Sequence, residues 1–135
     1  MALLRWSKEY SVGVAAIDGE HAAFLRGLNK LHAAMIQGKG KSVTGPLLRK
    51  LPAAASKHFH SEESMMKATN YPGLAAHHAL HLEFARHLDE LVAHLQKGEK
   101  GLSILLLTFM RSWIADHVQK EDRAFGPWLN KHGIK

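Results

Sequence analysis

The sequence contains no cysteine. That excludes disulfides, thiolate metal sites, cysteine-ligated iron–sulfur clusters and covalently attached c-type haem. It has no long apolar run either. The longest stretch is Ile104 to Leu107, followed after Thr108 by Phe109 and Met110, far short of the roughly 20 residues a membrane helix needs. The first residues, Met1 to Glu9, carry neither a long apolar segment nor a small-residue cleavage site, so no signal peptide is expected and the cytoplasm is the expected location. Aromatic residues make up only 7%, and none interleave with basic residues into a stacking stripe. The net charge of +6 gathers instead around Lys39, Lys41, Arg49, Lys50, Lys97, Lys100, Lys131 and Lys135, in predicted loops and at the end. Solvated loop tips give that pattern, so no nucleic-acid partner is expected. Nothing in the sequence specifies a protein partner.

What the chain does have is histidine, 11 of them in 135 residues. The length fits one domain over residues 1–135, and 46% hydrophobic residues allow a core. The organising stretch runs from Tyr71 to Phe84. Pro72 can start a helix but cannot sit inside one comfortably, and good helix formers follow until Gly98. His77 and His81 are four residues apart and therefore point to one side of that helix, a turn apart. Such a pair can hold a metal ion if other helices supply matching ligands.

They do. An arm over residues 1–17 mixes aromatic, β-branched and glycine residues without a helical period. Asp18 reads as an N-cap, with Glu20 in the first turn. The helix that follows, about 19–37, places Phe24, Leu28, Leu31 and Met35 on one stripe, with His21 and Leu25 on or near it. A second helix is expected at about 46–68. Pro52 should kink or delay it, but His58 and Glu62 fall beyond the proline. The third helix covers about 74–97. A fourth, about 101–122, is almost continuously apolar and should be buried on more than one side. It offers His117 with Glu121 or Asp122. A short tail, 123–135, contains Trp128. Four amphipathic helices joined by short links predict an all-α, up-down-up-down antiparallel four-helix bundle with an irregular N-terminal arm.

The inward-facing candidates are thus His21, His58, Glu62, His77, His81, His117 and one of Glu121 and Asp122. Carboxylates can bridge two cations; imidazoles cannot. If both carboxylates bridge and the histidines divide three and two, one ion has five protein ligands and the other four. A shared hydroxide raises these to six and five, and octahedral preference leaves one vacancy. Two divalent ions, two carboxylates and a hydroxide sum to +1, a tolerable buried charge. Neutral dioxygen entering the vacancy leaves that total unchanged, so binding needs no external proton or electron. Nitrogen and oxygen donors with an open position suit iron or manganese better than closed tetrahedral zinc.

The chain resembles the hemerythrins, specifically the single-domain bacterial type. The resemblance spans nearly its whole length: Val12-Gly13-Val14 and Ile17-Asp18 with Glu20-His21; His58-Phe59, Glu62-Glu63 and Met66; Tyr71-Pro72 with His77, His81 and Phe84; and Trp113, His117 and Asp122. It implies two iron ions, cycling between Fe2+ and Fe3+, with a bridging oxo or hydroxo group and dioxygen as ligand. By position, His77, His81 and His117 hold one iron, His21 and His58 hold the iron with the vacancy, and Glu62 and Asp122 bridge. Helical geometry alone favours Glu121, about 40° from His117, over Asp122, about 140° away. The resemblance selects Asp122, so a bulge or loosened turn is expected between the two.

His32, His60, His78, His87, His94 and His132 are left over and read as surface groups, some in helical pairs with Glu83 or Glu90. Phe59, Met65, Met66, Phe84, Phe109, Trp113 and Ile114 read as core; Glu63 is either solvated or a partner to a ligand. The expected function is reversible dioxygen binding for transport, storage or local handling, without enzymatic turnover. The alternatives are a di-iron enzyme reducing peroxide or nitric oxide, or an oxygen- or redox-sensing module. Catalytic di-iron proteins of the ferritin-like kind use Glu-x-x-His on two helices, and that motif is absent here.

Overall fold

Each helix buries one stripe. A computed structural model describes residues 3–135. Helix α1 (Ala15–Ile36) buries Ile17, His21, Leu25, Leu28 and Leu31 at steps of three and four. Gly38, at φ +73°, turns the chain out of it. Helix α2 (Gly40–Ala68) and helix α3 (Leu74–Gln96) follow. The fourth rod joins α4 (Leu102–Trp113), a π-helical segment (Ile114–Asp122) and α5 (Arg123–Lys131). Among the described residues there is no strand, and no helix is long and apolar enough to cross a membrane. The architecture is the expected antiparallel four-helix bundle.

Three boundaries differ from those the sequence predicts. Helix α1 begins at Ala15, inside the expected arm, because the Val14 carbonyl already accepts from the Asp18 amide at 2.9 Å. Asp18 is therefore not the N-cap. Its carboxylate instead ties down the arm, accepting from Ser11 Oγ at 2.5 Å and the Val12 amide at 2.8 Å. Helix α2 begins at Gly40 rather than Pro46 and runs through both Pro46 and Pro52. Its first turn is held by tertiary contact: Thr44 Oγ1 donates to the Gly40 carbonyl at 2.8 Å and lies 2.6 Å from Ser103 Oγ on α4. Residues 123–131, expected in a short tail, are helical because Phe125 and Leu129, four apart, are both fully buried. The fourth rod is also less enclosed than its composition suggests, with Ile104 and Leu105 more than half exposed.

Two apolar clusters bracket the middle of the bundle. The larger contains Leu28, Leu31, Leu48, Leu88, Leu106 and Met110. The smaller joins Val12, Val14 and Ile17 to Met66, Phe125 and Leu129. Between them lies a layer of buried polar side chains. The smaller cluster depends on a close approach of arm and α5, where a β-carbon on Gly126 would meet the Val12 carbonyl oxygen at 1.9 Å. Asn130 Nδ2 adds a bond to the Gly13 carbonyl at 2.9 Å, and Trp128 Nε1 donates to Thr69 Oγ1 at 3.0 Å. Replacing Gly126→Ala should therefore cost about 1–3 kcal/mol in urea unfolding. Gly19→Ala, whose β-carbon meets nothing within 4 Å in helix α1, should be neutral or stabilise by up to about 1 kcal/mol. Equal effects at the two positions would contradict the packing described.

Candidate metal centre

The polar layer draws on all four rods. Helix α1 supplies His21, α2 supplies His58 and Glu62, α3 supplies His77 and His81, and the π segment supplies His117 and Asp122. Glu62 and Asp122 are fully buried, and the other members except His58 are at most 3% exposed. The π geometry accounts for the last pair. Its i→i+5 register brings positions five apart onto one face, so His117 and Asp122 both turn inward while Glu121 is exposed. The loosened turn expected from the sequence is present, and it extends over nine residues rather than one bulge.

The carboxylates divide their oxygens between two groups of histidines. Glu62 Oε1 lies 3.1 Å from His81 Nε2 and 3.5 Å from His77 Nε2. Its Oε2 lies 3.2 Å from His58 Nε2 and 3.4 Å from His21 Nε2. Asp122 repeats the arrangement, with Oδ1 2.8 Å from both His77 and His117 Nε2 and Oδ2 3.0 Å from His21 Nε2. The donor atoms thus form two overlapping sets, one of Glu62, His77, His81, His117 and Asp122, the other of His21, His58, Glu62 and Asp122.

These approaches are short, yet most are not hydrogen bonds. Both oxygens of Glu62 and of Asp122, and Nε2 of His77, His81 and His117, are buried without a hydrogen-bond partner among the described residues. Leaving so many polar atoms unsatisfied would cost about 1–3 kcal/mol each. Nitrogen and oxygen donors that converge from four rods without another partner suit a cation between them. Two donors each about 2.1 Å from one ion and at right angles to it lie about 3.0 Å apart, close to the separations seen here. The residues present therefore fit metal binding, and the nitrogen–oxygen donor set fits the iron that the family implies.

Outside this ring, two carboxylates hold histidines from behind. Glu63 Oε2 accepts from His81 Nδ1 at 2.7 Å, and its Oε1 lies 2.6 Å from His78 Nδ1. Glu20 Oε1 lies 3.0 Å from His58 Nδ1. A carboxylate on Nδ1 fixes the tautomer with Nε2 free to ligate. The sequence leaves Glu63 open between two readings and gives Glu20 only a helix-dipole role. Neither assignment is accessible from spacing on a single helix, because both contacts are made between helices. Aromatic rings fix the remaining faces: Phe59 stacks on His81 at 3.9 Å, Trp113 stacks on His117 at 3.7 Å, and Phe125 sets its edge against His77 at 5.2 Å.

Electrostatics in the metal-free protein follow from the same crowding. Burial alone would lower the pKa of His21 and His77, but the carboxylates of Asp122 and Glu62 outweigh it and raise both to about 9. Burial would raise Asp122, and so would the Glu62 charge, yet its histidines hold it down to about 2. Glu62 is held well below the usual carboxylate range in the same way, against its own burial. For His117, burial prevails and the pKa falls. Near pH 7, then, protons on His21 and His77 balance the two carboxylates. A metal ion must displace these protons, so metal affinity should rise with pH up to about 9. Loading in weak buffer at pH 7 should release at least two protons per chain, from His21 and His77, with further release from His58, whose pKa Glu62 also raises, and from any water that becomes a bridging hydroxide, read with a pH indicator. Release near zero would contradict this charge balance.

Comparison with known proteins agrees with the geometry. The family described as "Hemerythrin HHE cation binding domain" matches residues 12–129. The chain is 30% identical over 132 residues to a bacteriohemerythrin of Stenotrophomonas maltophilia (strain R551-3), covering 98% of this chain and 85% of that one. It is 31% identical over 131 residues to a bacteriohemerythrin of Methylococcus capsulatus (Bath), covering 96% and 99%. A crystal structure of wild-type hemerythrin superposes with a TM-score of 0.84 at 30% identity, covering 95% of this chain and 98% of that one. A crystal structure of a hemerythrin point mutant gives 0.85 at 32% identity, covering 96% and 98%. With its family match, its bundle and its shared-carboxylate histidine cluster together, this chain belongs to the hemerythrin family.

Proposed function

We propose that this protein binds dioxygen reversibly at a pair of non-haem iron ions. In this reading His77, His81 and His117 hold one iron and His21 and His58 the other. Glu62 and Asp122 bridge them, along with an oxo or hydroxo group. The observation that carries it is an asymmetry. Each carboxylate gives one oxygen to either histidine group, so the two-histidine side is one donor short of the other. That side opens onto a cavity of about 300 Å³, which touches His21 and His58 but not His77, His81 or His117. Its walls include Phe24, Leu51, Phe59, Phe84, Met110 and Trp113.

An apolar cavity beside an open coordination position favours a small neutral ligand and excludes the water that would carry reduced oxygen away. The iron supplies the electrons that hold dioxygen; the chain supplies the dry wall, the fixed imidazoles and the constant charge. Glu20 and Glu63 keep His58 and His81 aimed inward. A histidine-rich donor set without Glu-x-x-His supports holding oxygen over splitting it, and thus a carrier or store in place of an enzyme.

Iron(II) loaded anaerobically and then exposed to air should give a charge-transfer absorption band that fades when oxygen is removed. Rapid irreversible bleaching, or sustained turnover of peroxide or nitric oxide with a reductant, would favour the enzyme reading. The cavity offers a second test. A β-carbon at Gly27 points between Leu47 and Met110, at 3.5 and 3.8 Å. Gly27→Leu should narrow the cavity and slow oxygen association by about tenfold or more, equivalent to about 1.4 kcal/mol, with iron content unchanged. An unaltered association rate in stopped flow would remove the cavity from the path.

A further inference from the structure

The bundle is also open between α2 and α3. A groove of about 340 Å³ lies there, lined by His60, Glu63 and His78 as well as by apolar groups such as Leu82 and Ala85. Its charged members are Glu63 and Asp89, and among the described residues no lysine or arginine lines it. In a chain of net charge +6, such an opening is a local exception that favours cations. Glu63 stands at a junction. Its Oε2 accepts from His81 Nδ1 at 2.7 Å, on the metal side, while its Oε1 lies 2.6 Å from His78 Nδ1, on the solvent side. The His78 side chain is 50% exposed and that of Glu63 23%, so a solute can reach both. His60 is exposed as well, and it precedes Glu63 by three positions on α2, which makes them neighbours on one helix face. Its Nε2 lies 3.5 Å from Ser64 Oγ, the outer limit of hydrogen bonding, so little holds the ring there. Neither His60 nor His78 belongs to the two buried donor sets.

We propose that His60, Glu63 and His78 form a separate, exposed site for a first-row divalent cation such as Zn2+. Two imidazoles and a carboxylate are donors that such ions favour. The cation takes Glu63 Oε1 and His78 Nδ1 and replaces the proton between them. Two donors on one such ion lie about 3.0–3.4 Å apart, so the pair has to part only slightly, through side chains that solvent leaves free to move. His60 closes the site by turning its ring away from Ser64, and water completes the shell. With three protein donors and open water, this site is weaker and more readily reversible than the buried one. The shared carboxylate couples the two: a cation on Oε1 draws charge from Oε2 and loosens its hold on His81 Nδ1–H.

The test titrates Zn2+ into the iron-loaded, air-oxidised protein, whose buried donors are already occupied, and follows it by calorimetry with the bound iron counted before and after. One further zinc per chain should bind, with the iron retained. His60→Ala and, separately, His78→Ala, both at exposed positions, should each weaken zinc binding at least about tenfold and leave the iron content unchanged. His94→Ala is the control, since His94 pairs with a carboxylate of its own, Glu99; it should bind zinc as the wild type does. X-ray absorption at the zinc edge should show two imidazoles and a carboxylate at about 2.0–2.2 Å. A flat titration, wild-type affinity in either groove variant, an equal loss in the control, or an all-oxygen zinc shell would overturn the proposal. Failure of the di-iron reading looks different: the iron count departs from two per chain, while the zinc that depends on His60 and His78 remains.

Discussion

Two carboxylates with no access to water govern this structure. Glu62 and Asp122 sit at the centre of an apolar bundle with zero exposure, and a buried, ionised carboxylate without compensation costs several kcal/mol. Everything around them supplies compensation. Five imidazoles from four rods approach their oxygens, and the carboxylates raise the pKa of three of them, His21, His58 and His77, in the metal-free protein. Metal ions would replace the protons held there. The same charge that makes the empty layer expensive is what gives it affinity for cations, so folding and metal binding are coupled through one pair of side chains.

The geometry of the fourth rod answers to Asp122. A regular α-helix through His117 would turn Asp122 away from the layer and bring Glu121 in. The π segment from Ile114 to Asp122 reverses that choice. A widened turn packs less well and needs support at both ends. Upstream, Met110 and Ile114 are buried in the larger cluster; downstream, Phe125 and Leu129 are buried in the smaller one, against the arm. The N-terminal arm, remote in sequence, is therefore part of the site's scaffold, and the approach of Gly126 to Val12 is one of the contacts that holds it.

Much of this is legible in the sequence, because helical period and ligand type report on the same face. Leu28, Leu31, His21, His58, Glu62, His77 and His81 fall where a 3.6-residue repeat puts them. The helix starts are not legible. Gly40 opens α2 through the contact of Thr44 with Ser103, a partner distant in sequence, and Ala15 opens α1 while Asp18, which looks like a cap, folds back on the arm just before it. Helix α5 escapes a sequence reading because Gly126 and Pro127 look like breakers, although here the glycine makes room for the arm. The Asp122 register comes from family resemblance, since regular helical geometry points to Glu121. Glu20 behind His58 needs α1 and α2 side by side before it means anything.

The most direct test of the account is a paired count of iron and of unpaired spins on the air-oxidised protein. Bridging by Glu62 and Asp122 between the two donor sets predicts two irons per chain, magnetically coupled, with almost no ferric electron paramagnetic resonance signal. One iron per chain, or a signal that integrates to every iron present, would contradict a shared-carboxylate pair.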